Sequence, residues 1–179
     1  RNVTGVQTCA LPISTVSTNI AWALAASGRS TALVDLNADG AAAHSHLTRL
    51  IKQAEGVEDP DELFEARGLS LLASRIRHDV SYGVIPPADI EQSMVQLTDY
   101  LSFLPGIRDQ SDYRAGVEGA DRTVANLLMH SRWVESLLSY LRAPATGRSY
   151  VVVDTGTARY TALGYAAIAA ADQIGRAHV

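Results

Sequence analysis

The sequence predicts an α/β fold with a parallel sheet covered by helices on both faces. Three observations carry this expectation. TALVD and YVVVD are short apolar runs that end in an acid, as strands buried on both sides do. Stretches with apolar residues three or four apart lie around them, as amphipathic helices require. The two kinds of segment alternate along the chain, and alternation is the order of a parallel sheet.

Taken in order, TVSTNIAWALAASG (15–28) puts Val16, Ile20 and Leu24 on one helix face and Gly28 where a helix C′ residue belongs. RSTALVDL (29–36) follows as a buried strand. After the loop NADGAAAHS, HLTRLIKQAE (46–55) reads as a helix. VEDPDELFEARG (57–68) has proline and acids at a helix start, Leu63 and Phe64 inside, and a glycine stop. LSLLASR (69–75) fits strand or helix, because periodicity alone does not decide. PPADIEQSMVQLTD (86–99) reads as a helix with Ile90, Met94 and Leu97 on one face, and YLSFLPG (100–106) as a strand broken by Pro-Gly. IRDQSDYRAGVEGADR is polar and glycine-bearing, a loop. DRTVANLLMHSRWVESLLSYLRA (121–143) is helical throughout, as one bent helix or two. SYVVVDTGT (149–157) is the clearest strand, and RYTALGYAAIAAAD (159–172) is an alanine-rich helix. Trp22, Trp133 and Tyr140 fall on these helices and read as packing residues rather than base-stacking platforms.

The two ends stand apart. VTGVQTCALPI and IGRAHV look like conceptual translations of the two orientations of a common short-read sequencing adapter. Residues 1–13 and 174–179 are therefore expected to be non-native, leaving 14–173 as a partial nucleotide-binding domain cut at both ends. Cys9, the only cysteine, lies in the first flank, so the remainder offers no disulfide or thiolate–metal site. The chain carries 15 basic and 19 acidic residues, a net charge of −4 that becomes −6 without Arg1 and Arg176. That balance gives no support to a broadly basic nucleic-acid footprint. No apolar run approaches a membrane span and CALPI is too short for a signal peptide, so a cytoplasmic location is expected.

Chemistry concentrates where the two buried strands end. If they are parallel, Asp35 and Asp154 project from one edge of the sheet, where ligands bind in open α/β folds. Ser14, Thr15, Ser17 and Thr18 at a helix start belong to the same edge, and hydroxyls with free backbone N–H groups suit an anion. Each feature also has a structural explanation: a strand-terminal aspartate caps the following turn, and Ser or Thr caps a helix. His44 and His46 stand at i, i+2 spacing beside a loop and read as solvated or capping residues, not metal ligands.

STVSTNIAWALAASGRSTALVDLNADG resembles the segment of ParA/MinD-type ATPases that begins with the last residues of their Walker A motif. Ser14 and Thr15 fall on its Ser/Thr pair, Asn19 on a recurrent helix asparagine, VDLNADG on switch I and VVVDTGT on switch II. LSFLPG is similar to the internal strand between the switches. The resemblance implies a P-loop NTPase fold, ATP and Mg²⁺ as cofactors, and a nucleotide-dependent homodimer; it leaves DNA or membrane attachment open. It also implies that the Ser14 hydroxyl ligates Mg²⁺, that Asp35 and Asp154 hold its waters, and that Thr15 contacts a phosphate. Small hydroxyls and carboxylates around a cation suit phosphoryl transfer, which asks mainly for positioning and charge neutralisation.

Two departures matter. The second switch I acid of the family is here Asn37, which orients a water but cannot take its proton; Asp39 stands two residues further on as a substitute. Switch II reads DTG where DTP is usual. The expected function is a nucleotide-dependent switch in partitioning, cell positioning or pilus and secretion assembly, with Asp35, Asn37 and Asp39 as candidate catalytic residues. A dinucleotide-binding oxidoreductase, with Asp35 on ribose hydroxyls, is the alternative from another class. A non-hydrolytic nucleotide-binding scaffold is the third.

Overall fold

The computed structural model describes residues 13–36, 43–56, 67–69, 71–72, 84–106, 124–155 and 167–171. In chain order the elements are α1 (Ile13–Ala26), β1 (Thr31–Asp35), α2 (Ala43–Glu55), α3 (Pro87–Ser93), β2 (Val95–Thr98), β3 (Leu101–Leu104), α4 (Val124–Arg142), a short 3-10 turn (Pro144–Thr146) and β4 (Tyr150–Asp154). The four strands form one sheet in the order β2-β3-β1-β4.

Helix α1 ends as its glycine requires. Gly28 has φ +75°, its N–H donates to the Ala25 carbonyl, and the Arg29 N–H donates to Leu24, the two bonds of a Schellman turn. The chain reverses there and enters β1, which pairs in parallel with β3 on one side and β4 on the other.

Two sequence expectations need correction. The helix over 86–99 stops at Ser93, and Val95–Thr98 is a strand. Pro87 starts that helix without a lost donor, but Met94 leaves it with φ −89° and ψ 151°. Val95 and Leu97 are then buried on alternate positions with Gln96 exposed between them, a period of two rather than 3.6. The sheet is accordingly mixed rather than wholly parallel: β2 runs antiparallel to β3 across the two-residue turn Asp99-Tyr100. The ambiguous stretch from Leu69 is helical at Leu69, Leu71 and Leu72. The segment 57–66 and most of 159–172 lie outside the described residues.

Alternation along the strands divides the core in two. Ala32, Val34 and Leu104 face α4 and meet Trp133, Val134, Leu137, Leu138 and Leu141, with Ile90 and Met94 beside them. Leu33, Leu101 and Phe103 face the other way and meet Ala21 and Ala25 of α1 and Leu47 and Ile51 of α2. Helices thus cover both faces of the sheet, as expected.

The buried side of α1 is unusual for its chemistry. Ser14, Ser17, Thr18, Ala21 and Ala25 point inward, while Val16, Ile20 and Trp22 are exposed. Small residues let a helix backbone lie close to the strands beneath it. The packing role expected of Trp22 is therefore not borne out, whereas Trp133 is buried.

At the amino edge of the sheet, Arg148 grips Glu91 through both terminal guanidinium nitrogens, Nη1 and Nη2, at 2.8 and 3.0 Å. The Arg148 hydrogen bond holds the Glu91 carboxyl below its ordinary 4.5, against the opposing effect of burial. Burial, and then the bond to Glu91, pushes the neighbouring Tyr140 hydroxyl up. This clamp ties α3 to the start of β4.

Candidate functional site at the carboxyl edge of the sheet

Register fixes the central feature. β1 and β4 pair residue for residue from Thr31↔Tyr150 to Asp35↔Asp154, so the two acids end adjacent parallel strands side by side. Side chains alternate along a strand, so Asp35 shares the face of Leu33 and Asp154 that of Val152, the face covered by α1 and α2. Both acids are fully buried. Neighbouring strands lie about 4.8 Å apart.

Two helices begin at the same edge. α1 feeds β1 from its C-terminal end and packs back over β1 and β4, so its first turn lies near the strands' carboxyl ends. α2 starts eight residues after Asp35, and the Ala43 N–H donates to Asp35 Oδ2 at 3.2 Å. A carboxylate at a helix N-terminus is favoured by the helix dipole. The capping explanation for Asp35 is thus realised at one of its oxygens.

Ser14 is buried and Thr15 half-buried in the first turn of α1. The Ser17 hydroxyl donates back to the Ser14 carbonyl at 3.1 Å, an ordinary helical back-bond. Thr18 Oγ1 is buried with no hydrogen-bond partner among the described residues. Asn37 and Asp39, the candidate water-positioning residues, lie outside the described residues.

Two contributors went unnoticed in the sequence. Gly106 packs so closely on Asp35 that a Cβ there would lie 2.8 Å from its carboxyl carbon. The sequence showed it only as half of a Pro-Gly strand breaker. His46, which reads from the sequence as a solvated or capping residue, is exposed and lies with Nε2 3.1 Å from Thr15 Oγ1. Its signal was available: a helix that directly follows a parallel strand begins at the ligand-binding edge.

Asp35, Asp154 and Ser14 carry oxygen atoms of the hard kind that suits Mg²⁺, directly or through its bound waters. Among the described residues no group of three or more His, Cys, Asp or Glu side chains could hold a metal unaided. No described helix is long and apolar enough to cross a membrane. No protein-family model matches the chain, and no curated protein or solved structure matches it either.

Proposed function

We propose that the chain is part of a cytoplasmic ParA/MinD-type ATPase, a nucleotide-dependent switch acting in partitioning, cell positioning or pilus and secretion assembly. The observation that carries this reading is the register pairing of Asp35 with Asp154 beneath the hydroxyl-bearing first turn of α1. An oxidoreductase reading uses Asp35 on a ribose but leaves the second buried acid without a task. In the proposed site Ser14 ligates Mg²⁺, the two aspartates hold its waters, and Thr15 donates to a phosphate of ATP. Bound nucleotide supplies the remaining metal ligands, which accounts for a site with few protein donors.

The test uses the full-length parent protein. Asp154→Ala should weaken nucleotide binding measured with Mg²⁺ far more than binding measured in EDTA, because the carboxylate acts through metal-bound water. Titration calorimetry under both conditions checks this. Equal losses would make Asp154 a structural residue and remove the support for a magnesium site.

A further inference from the structure

We propose that His46 is a positioning residue of the phosphate site, donating its Nε2–H to the Thr15 hydroxyl so that Thr15 keeps its own proton for a phosphate oxygen. This rests on the nucleotide-switch reading above. The contact is 3.1 Å and joins the first turn of α1 to the first turn of α2. Its foundation is firm at both ends. The α2 backbone is held at Ala43 by Asp35 Oδ2, and Leu47 and Ile51 of α2 share a buried cluster with Ala21 and Ala25 of α1.

The chemistry follows from a proton count. A hydroxyl has one proton and two acceptor lone pairs, while a neutral imidazole nitrogen is either donor or acceptor. If Nε2 is bare, Thr15 spends its proton on His46 and offers an anion only lone pairs. If Nε2 carries the proton, His46 donates to Oγ1 and the threonine proton is directed elsewhere. An anion accepts but never donates, so its binding selects the second arrangement. No charged residue occurs in α1 between Ile13 and Ala26, so the helix itself brings no side-chain charge to the phosphate.

Ser17, two residues further along α1, makes a different kind of bond. Its hydroxyl turns back to the Ser14 carbonyl, the usual fate of a helical Ser or Thr hydroxyl. Thr15 reaches across to α2. His46 therefore links the residue proposed to touch phosphate with the helix whose first amide is fixed by Asp35.

The experiment measures binding of a non-hydrolysable ATP analogue with Mg²⁺ to the full-length parent, together with the thermal midpoint of each variant. His46→Ala should weaken binding about three- to tenfold, the worth of about one net hydrogen bond, with the midpoint unchanged. His46→Gln, whose amide nitrogen can still donate, should restore binding to within about twofold. In a Thr15→Ala background His46→Ala should have no further effect, because the interaction it serves is already gone. Wild-type binding matched by His46→Ala, failure of glutamine to rescue, or an undiminished loss in the Thr15→Ala background would each overturn the positioning role alone. Absence of binding by the wild-type parent would overturn the nucleotide reading and this inference with it.

Discussion

Gly106→Ala asks how tightly the Asp35 carboxylate is held. The added Cβ would lie 2.8 Å from the carboxyl carbon and 3.0 and 3.1 Å from its oxygens. The shortest distance falls about 0.6 Å inside ordinary contact, which begins at 3.4 Å. Asp35 is fully buried and bonded to the Ala43 N–H, so it has little freedom to swing aside. One response moves the Pro105-Gly106 backbone away from β1, at the cost of about 1–3 kcal/mol typical of overpacking. The other turns the carboxylate and breaks its bond to Ala43; hydrogen bonds to charged groups are worth about 1.5–3 kcal/mol. Both routes converge on about 2 kcal/mol. For a chain of this length that lowers the thermal midpoint by about 4–8 °C. Thermal and urea unfolding followed by far-UV circular dichroism measure it, and an Asp35→Ala background provides the control. Without the carboxylate the methyl group has space, so Gly106→Ala should there cost less than about 0.5 kcal/mol. An unchanged midpoint in the wild-type background, or the same loss in both, would refute the close approach.

Arg148→Met should cost about 1 kcal/mol, since Arg148 is largely buried but Glu91 is half-exposed and screened by solvent. The lowered Glu91 pKa means that the pair's contribution is complete above the ordinary glutamate value and lost as pH falls through the lowered one. The variant's midpoint should therefore fall less between about pH 5 and pH 3 than that of the parent chain; equal slopes would sink the assignment. Thr18→Val exchanges a buried hydroxyl without a described partner for a methyl group of similar shape. It should raise stability by about 1 kcal/mol, and a fall in midpoint would reveal a partner for that hydroxyl.

The two strand-terminal acids were legible because a run such as YVVVD has one favourable environment, a buried parallel strand, and its last residue must then reach the edge. Which strands neighbour one another was not legible: register is a property of long-range pairing, and nothing local to Asp35 names Asp154 as its partner. The β2 strand was missed because Ile90, Met94 and Leu97 satisfy a helical spacing by coincidence. Ile90 and Met94 join the α4 side of the core and Leu97 the opposite side. Periodicity located α1 correctly, yet the face defined by Val16 and Ile20 is its exposed one. Apolar spacing identifies a helix but does not say which side a sheet covers when the other side is made of alanine, serine and threonine. The Gly106–Asp35 and Thr15–His46 contacts bridge 71 and 31 residues respectively, beyond any local pattern.

The pairing of β1 with β4 makes strand length a measure of position. Each strand runs five residues, from Thr31 and Tyr150 to an aspartate. Two residues before Tyr150, the Arg148–Glu91 clamp pins the chain at the far edge. The stretch from clamp to carboxylate is therefore a spacer of set length. Exchanging one of Val151–Val153 for another β-branched apolar residue leaves the spacer intact. Deleting one would draw Asp154 level with Val34 and turn it toward α4, because a one-residue slip reverses every side chain beyond it. The edge would keep its composition and its hydrophobicity, and the two acids would stand on opposite sides of the sheet.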